Sequence, residues 1–254
     1  MSKKLAAVII TVHNEIPDEY EKIAIDQCFK VLGSHPIVFI ARVDFNFSYY
    51  KENYAPQGNV SFEKFSYGPG SKGIDDLMLS SEFYKRFLDY KYILIYHTDA
   101  FVFRDDLHYW CSQNYDYIGA TIFDTDFTRI FFQYSKYKYF LKLGLLKNKN
   151  IGNGGFSLRK VHSFYVSSRL YKPLIKSLTH GLNEDLFWSF KMPYLNPFFR
   201  VPSLDKAKSF AFETKPREVF EINGHRLPFG CHAWRRYDYN FWKPFIEEQG
   251  YVLS

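Results

Sequence analysis

The sequence predicts a single α/β domain with a central, mainly parallel sheet flanked by helices. Residues 5–12 and 92–96 form almost unbroken apolar runs, which are typical of strands buried on both faces of a parallel sheet. A segment of helical periodicity follows the first run, and strand and helix continue to alternate along the chain. The length of 254 residues, with 46% hydrophobic and 24% charged residues, suffices for one domain with a substantial core.

The other elements are predicted from the same patterns. Pro17 and Asp18 open the first helix, whose apolar residues recur at helical spacing as far as Leu32. We predict further strands over residues 35–41, 60–65 and 115–122, helices over 75–88, 105–111 and 161–170, and an irregular connection over 44–58. Residues 68–73 (GPGSKG) form a turn before the helix 75–88. Helix starts of this kind bind phosphate, but the P-loop pattern is missing, so a plain turn is an equal alternative.

Polar side chains follow both central strands at the point where the apolar run ends. After residues 92–96 they are His97, Thr98 and Asp99, and after residues 5–12 they are His13, Asn14 and Glu15. Open α/β sheets bind ligands in the crevice outside the carboxyl ends of their strands. We therefore expect a ligand site at this edge of the sheet, with Asp99 facing the ligand.

Composition limits the class of partner and the compartment. The net charge of +6 favours anionic partners such as nucleotides, phospholipid surfaces or nucleic acid, without choosing among them. Cys28, Cys111 and Cys231 form no C-x-x-C pair, which indicates neither a disulfide framework nor a zinc cluster and favours a reducing cytosol. The sequence has no signal-peptide pattern and no apolar run of membrane-spanning length, so we expect a soluble or peripheral cytoplasmic protein.

Residues 129–149 carry six basic side chains and no acid, interleaved with aromatic rings. Two interpretations are open for this basic aromatic segment. It could lie on an anionic membrane surface, as basic amphipathic segments do. Alternatively, it forms a helical pair that packs its rings inward and solvates its lysines.

Two later motifs contain side chains that could act in catalysis or binding, but a purely structural role also explains them. Asn183, Glu184 and Asp185 place two acids in the first turn of a helix, for which Asn183 is a good N-cap. Residues 228–236 (PFGCHAWRR) combine a histidine, an indole and two arginines. A lone histidine in such a place is usually structural, so neither motif assigns a function by itself.

These motifs, in this order, resemble the GT-A class of nucleotide-sugar glycosyltransferases. The resemblance rests on strands that end in TVHNE and HTDAF, on GNGGFSLR, on NED and on a late histidine. More narrowly, FYKRFLDYKYILIYHTDAFVF, YDYIGA, GNGGFSLR, EDLFW and PFGCHAW look like a bacterial family of polysaccharide glycosyltransferases catalogued as a domain of unknown function. This likeness covers most of the chain from about Lys72 onward. It implies a GT-A-like fold and transfer of a hexosyl or deoxyhexosyl group.

The resemblance implies a site for the diphosphate of the donor and for a divalent metal, Mn²⁺ or Mg²⁺. In this class a D-x-D motif holds the metal; here His97 replaces the first Asp and leaves Asp99 as the only carboxylate. The class often adds a late histidine to the metal shell, which implies His232, while Arg235 or Arg236 could pair with the phosphates directly. The other implied nucleotide-sugar contacts are Thr11, His13, Asn14, Glu15, Lys72, His97 and Thr98.

On the acceptor side, the resemblance implies contacts from Asn153, Gly154, Gly155 and Trp234. Glycines let backbone N–H groups approach a hydroxyl-rich ligand, although a tight turn before a strand needs glycine equally. NED resembles the x-E-D motif of inverting GT-A enzymes, whose second acid deprotonates the acceptor hydroxyl. Asp185 is therefore the expected base, kept ionised by the helix start, and Glu184 is expected to hold an acceptor hydroxyl.

The resulting hypothesis is a single GT-A-like domain over residues 1–254 that moves a sugar from a nucleotide diphosphate sugar to a glycan or lipid-linked acceptor. Its predicted parts are a nucleotide-binding half (1–122), a basic aromatic insertion (123–150) and an acceptor and catalytic half (151–254). Two rival classes stay open. A catalytically silent nucleotide- or carbohydrate-binding protein of the same fold would bind nucleotide without transfer. A nucleic-acid-binding protein, suggested only by charge, would show steep salt dependence.

Overall fold

The computed structural model describes residues 3–122, 151–178 and 183–253. Within these ranges the molecule is built on one nine-stranded sheet of order β3-β2-β1-β4-β7-β6-β8-β9-β5. The strands are β1 Lys4–Thr11, β2 Ile37–Arg42, β3 Val60–Phe65, β4 Tyr90–His97, β5 Phe101–Val102, β6 Tyr117–Ile122, β7 Ile151–Lys160, β8 Ala211–Phe212 and β9 Gly230–Cys231. The basic aromatic segment at 129–149 lies outside the described residues, so its membrane contact stays a prediction.

Helices flank the sheet, which confirms the predicted single α/β domain with a mainly parallel sheet. Strands β3, β2, β1 and β4 pair in parallel, whereas β7 runs antiparallel between β4 and β6. The helices are Glu19–Leu32, Ser48–Tyr54, Gly70–Leu79, Ser81–Lys85, Leu107–Ser112, Val161–Leu170, Lys172–Leu178, Glu184–Leu186, Met192–Leu195, Leu204–Phe210, Pro216–Ile222 and Tyr239–Glu247. A 3₁₀ turn, Ala55–Gln57, and a π-helical stretch, Phe187–Lys191, complete the elements.

Two elements differ from the sequence predictions. The expected connection over 44–58 contains the helix Ser48–Tyr54, whose Tyr50 and Tyr54 are buried. The helix expected over 75–88 starts earlier, at Gly70, and is broken at Ser80. Ser80 has extended backbone angles, and its hydroxyl accepts a hydrogen bond from the Phe83 N–H at 3.3 Å, so it caps a second short helix. The predicted helix is therefore two helices.

The two central strands are buried on both faces, as their apolar runs predict. In β1, Val8 and Ile10 pack into the core on one face, whereas Ala7 and Ile9 pack into the core on the other. A slip of one residue would exchange these two sets, so the pairing of β1 with β4 is strongly specified. In the observed register Thr11 pairs with His97, and both strands end at the same edge.

Strand β7 delivers a third segment to this edge because it runs antiparallel to β4. Its Phe156 pairs with Tyr96, so the residues just before Phe156 lie beside the polar end of β4. Near the other side of the sheet, β8 and β9 pair in parallel and end together, directly before Glu213 and His232. None of the helices in the described part of the chain has the length and apolar character needed to span a bilayer.

Candidate active site

Three side chains gather where β4 and β9 end: His97, Asp99 and His232. Their possible ligand atoms all lie within 4.8 Å of one another. His232 Nε2 is 3.1 Å from Asp99 Oδ1, and the two imidazole rings have their centroids 5.6 Å apart. Residues 135 positions apart in the chain therefore meet in a cluster of two imidazoles and one carboxylate, which we call the trio.

The trio suits a divalent cation. His97 Nε2 is buried and has no hydrogen-bond partner among the described residues. Burial, with the nearby His232, lowers the pKa of His97 to about 3, so this ring is neutral at pH 7 and can donate a lone pair. Burial alone would raise the pKa of Asp99, but His232 holds it well below its usual range, so Asp99 is ionised. Imidazole ligands favour transition metals such as Mn²⁺ over Mg²⁺.

Strand β7 makes room for the trio through Gly155. A Cβ atom at this position would lie 2.1 Å from His232 Nε2, closer than any real contact, so only glycine lets the ring occupy its place. Gly155 was expected to contact an acceptor. In the structure its position beside β4 also makes it a packing partner of a predicted metal ligand.

Two cavities open at this edge of the sheet. The larger, of about 670 Å³, lies between the ends of β1 and β2 and the helix start at Gly70, and Tyr67 and Phe45 line it. The smaller, of about 270 Å³, lies beside Asp99 and Arg235. His13 and His97 line both cavities, so the two cavities adjoin at these side chains.

The structure places most, but not all, of the predicted nucleotide contacts in these two cavities. Seven of them line one or both cavities: Thr11, His13, Glu15, His97, Thr98, Asp99 and Arg235. Two do not line either cavity. Asn14 donates its side-chain amide to Glu21 at 3.0 Å, and Lys72 is exposed, 3.8 Å from Asp76. Lys72 lies in the first turn of the helix that starts at Gly70.

Arg235 and Trp234 lie together at the smaller cavity. The Arg235 guanidinium stacks over the Tyr20 ring at 3.8 Å from its centroid and lies 3.5 Å from Asp18. A phosphate group would compete with Asp18 for this cation. Trp234 is fully buried and packs against Tyr20 and Tyr239, with one edge on the smaller cavity. Trp234 shares this cavity with Asp99 and Arg235, and its contact with an acceptor stays a prediction.

Asn153 joins the trio to the predicted base. Its side-chain amide donates to Asp185 Oδ2 at 3.2 Å, and its side-chain oxygen accepts from the Gly155 N–H at 2.7 Å. Gly155 in turn packs against His232. The sequence places Asp185 near this site only by resemblance, whereas the contacts of Asn153 provide a physical link between them.

Asp185 differs electrostatically from the expectation. The side chain is only 6% exposed, and burial, reinforced by Glu184 and Glu213, raises its pKa to about 8. The Leu186 N–H at the start of this helical segment donates to Asp185 at 2.7 Å and lowers its pKa, but burial outweighs this contribution. Burial thus acts against the ionised state that the helix start predicts, and the role of Asp185 as a base stays a prediction.

Glu184 forms a buried ion pair with Arg159. Arg159 donates from Nη2 to Oε1 at 2.7 Å and from Nη1 to Oε2 at 3.0 Å, and its side chain is 0% exposed. Arg159 also donates to the Tyr84 hydroxyl at 2.9 Å. Both oxygens of Glu184 thus face Arg159, which differs from the predicted contact with an acceptor hydroxyl. Gly154 packs tightly on this pair, since a Cβ there would lie 2.0 Å from Glu184 Oε1.

Sequence reasoning missed Arg159, Glu213 and the role of Glu21. Glu21 completes the capping box of the first helix with Asp18 and also accepts from the Thr98 hydroxyl at 3.1 Å. The capping-box spacing from Asp18 to Glu21 is readable in the sequence. Arg159 and Glu213 have no comparable signal, because their partners lie 25 and 19 positions away in the chain.

The fold is that of the GT-A glycosyltransferases. The chain is similar to the galactosyltransferase LgtC, solved with donor and acceptor sugar analogues, at a TM-score of 0.58 and 11% identity over 98% of both chains. An active-site mutant of LgtC gives 0.60 and 14% identity over 96% of this chain and 95% of that one. Mouse xyloside xylosyltransferase 1 gives 0.57 and 12% identity over 91% and 97%.

The chain belongs to the family described as protein of unknown function (DUF5672), whose sequence profile matches residues 59–232. That range contains the trio, the Asn153–Gly155 segment and Asp185. No curated protein sequence is significantly similar to the chain. The structural likenesses, at these identities, establish the fold, and the activity has to be argued from the site.

Proposed function

We propose that the protein is a glycosyltransferase that moves a hexosyl or deoxyhexosyl group from a nucleotide diphosphate sugar to a glycan or lipid-linked glycan acceptor in bacterial polysaccharide synthesis. The observation that supports this best is the chain of contacts from the trio through Gly155 and Asn153 to Asp185. It links a cation-suited cluster to a buried acid. Glycosyl transfer needs both, one for the leaving diphosphate and one for the attacking hydroxyl.

On the donor side, the larger cavity takes the nucleoside and the trio faces the diphosphate. Tyr67 and Phe45 offer rings to a base, while His13 and His97 line the passage to the smaller cavity. Arg235 supplies a fixed positive charge near Asp99, where a phosphate would displace Asp18 as its partner. A divalent cation held by His97, Asp99 and His232 would neutralise the charge that develops on the departing diphosphate.

On the acceptor side, Asp185 is the proposed base of an inverting displacement. Asn153 holds one of its oxygens and the Leu186 N–H donates to the other at 2.7 Å, so the carboxyl group has a fixed orientation. Glu184 and Arg159 stabilise the backbone that carries it. Asp185 would accept the proton of the acceptor hydroxyl as this oxygen attacks the anomeric carbon and the bond to the diphosphate breaks.

The test is transfer and donor cleavage with purified protein. A panel of nucleotide diphosphate sugars, with Mn²⁺ or Mg²⁺ and with oligosaccharide acceptors, should contain one donor from which nucleoside diphosphate is released above the uncatalysed rate. Asp99→Asn should abolish this release in the presence of metal. Failure of every donor in the panel, with nucleotide binding intact, would count against the enzyme and favour the second candidate.

That second candidate is a catalytically silent nucleotide- or carbohydrate-binding protein of the same fold. Two features favour it: the trio has one carboxylate, and burial raises the pKa of Asp185 to about 8, which disfavours its ionised form. Such a protein would bind nucleoside diphosphate as tightly as an enzyme but release no nucleotide from a sugar donor, whatever the pH.

A further inference from the structure

Glu213 is a buried acid beside the trio that neither the motifs nor the proposed mechanism uses. It follows β8 directly, and its side chain is 6% exposed. Oε1 lies 3.5 Å from His232 Nδ1, but neither Nδ1 nor the other oxygen, Oε2, has a partner that meets hydrogen-bond geometry among the described residues. A carboxylate is costly to bury unless it serves a partner. His232 is the one cation-forming side chain within 4 Å of it in the described ranges.

The backbone fixes this neighbourhood. Strands β8 and β9 pair with Phe212 opposite Cys231, and the His232 N–H donates to the Phe212 carbonyl at 3.0 Å. The residues that follow these two strands, Glu213 and His232, are therefore held side by side. Gly155 closes the opposite side of the ring, since its Cα leaves space for Nε2 and for nothing larger.

The two nitrogens of His232 have different surroundings. Nε2 faces Asp99 at 3.1 Å and belongs to the trio, whereas Nδ1 faces Glu213. A histidine can give the lone pair of one nitrogen to a cation only when the other nitrogen carries the proton. Metal-binding histidines usually donate that second N–H to a carboxylate or a carbonyl, which fixes both the tautomer and the orientation of the ring.

We propose that Glu213 is the positioning residue of His232: its carboxylate accepts the Nδ1–H, so that Nε2 is directed at a divalent cation shared with His97 and Asp99. This inference rests on the metal-binding role proposed above for the trio. Glu213 does not touch the cation and acts only through His232. Removing the Glu213 carboxylate should therefore lower the affinity for the metal more than it changes other properties of the protein.

The experiment measures Mn²⁺ binding to the full-length protein by calorimetry, without nucleotide. Three variants separate the effect of side-chain length from the effect of charge. Glu213→Leu removes the acceptor, Glu213→Asp keeps the charge but shortens the side chain, and Glu213→Gln keeps an acceptor oxygen at the same length. Loss of such an outer partner typically weakens metal affinity by about 10- to 100-fold. We expect a loss in this range for Leu and Asp, and rescue to within about threefold of wild type for Gln.

The matched control is Asp116→Asn. Asp116 is also 6% exposed, but it accepts from the Arg200 N–H and the Ser163 hydroxyl, away from the trio. Its Mn²⁺ affinity should equal that of the wild type. Wild-type affinity in folded Glu213→Asp, or equal losses in Glu213→Gln and Glu213→Asp, would overturn the inference. Absence of Mn²⁺ binding in the wild type would instead overturn the proposed metal site, and the role of Glu213 with it.

Discussion

At the scale of single residues, the most consequential feature is His97 in place of a carboxylate. The trio contains two imidazoles and one acid, so it carries less negative charge than a pair of carboxylates with a histidine. It attracts a hard cation such as Mg²⁺ less strongly, and it repels a diphosphate less strongly. The metal and the nucleotide should therefore bind cooperatively, because the diphosphate adds negative charge that attracts the cation and the cation adds positive charge that attracts the diphosphate.

The first prediction concerns Asp185. Asp185→Asn should lower turnover by about 10²- to 10⁴-fold, the usual contribution of general-base catalysis. The affinity for the donor should stay nearly unchanged, because Asp185 is hydrogen-bonded to Asn153 and lines neither donor cavity. Initial-rate kinetics with donor binding measured separately test this. Near wild-type transfer by the variant, or a product that retains the anomeric configuration of the donor, would exclude Asp185 as an inverting base.

The second prediction is a pH dependence with a definite sign. Burial, reinforced by the neighbouring acids Glu184, Glu213 and Asp75, raises the pKa of Asp185 to about 8 from its ordinary 3.8. Because only the carboxylate accepts a proton, kcat should rise as pH increases through 8. Stability should change in the opposite direction: the raised pKa stabilises the fold fully below pH 3.8, and this contribution is lost as pH rises through 8. Thermal melts of wild type and Asp185→Asn between pH 5 and pH 9 test the stability part; equal slopes would contradict it.

The third prediction separates a buried ion pair from an exposed one. Glu184→Ala leaves Arg159 buried and uncompensated, so the free energy of unfolding should fall by about 3–5 kcal/mol. Asp76→Ala breaks the exposed pair with Lys72 and should cost less than about 1 kcal/mol. Urea unfolding of both variants provides the comparison. Similar, small losses in the two variants would mean that Glu184 does not stabilise the site.

At the scale of elements, strand β7 connects the two halves of the site. Glycines at 154 and 155 let Glu184 and His232 reach the strand from its two sides. The close approach depends on the missing side chain of these glycines, so adding a single methyl group at either position tests it.

Gly155→Ala is the corresponding prediction. The added Cβ would lie 2.1 Å from His232 Nε2, so the ring must move out of the trio. Mn²⁺ affinity should fall by at least about 10-fold, as for other disruptions of metal-ligand orientation. Gly68→Ala is the control, because the nearest atom to its Cβ would be 3.9 Å away. Calorimetry with Mn²⁺ alone is the measurement, and unchanged affinity in Gly155→Ala would contradict the close approach.

The elements also show how far the sequence could be interpreted. The unbroken apolar runs predicted β1 and β4, and the polar residues after them predicted the edge where the trio lies. The two-residue strands β5, β8 and β9 leave no periodic pattern, so the sequence could not predict the pairing that positions Glu213. The helix Ser48–Tyr54 was missed because three of its seven residues are tyrosines, which favour strands as much as helices.

At the scale of the whole molecule, the strands of one sheet bring the residues of the proposed site to the same edge. β1 and β4 end side by side, β7 starts there, and β8 and β9 end next to the trio. The net charge of +6 adds a general attraction for an anionic donor. The sequence alone predicted this edge but not its contacts, since Arg159, Glu184 and Gly154 meet only through long-range packing.

The central claim is that the trio binds a nucleoside diphosphate through a divalent cation. A thermal-shift titration with UDP, GDP, CDP and ADP, each with and without Mn²⁺, tests it most directly. A ligand at about 100 times its Kd should raise the Tm of a domain of this size by about 5 °C or more. We predict such a rise for at least one nucleotide with Mn²⁺, a much smaller rise without it, and no Mn²⁺-dependent part in Asp99→Asn. No shift with any nucleotide, or an equal Mn²⁺ response in Asp99→Asn, would contradict the claim.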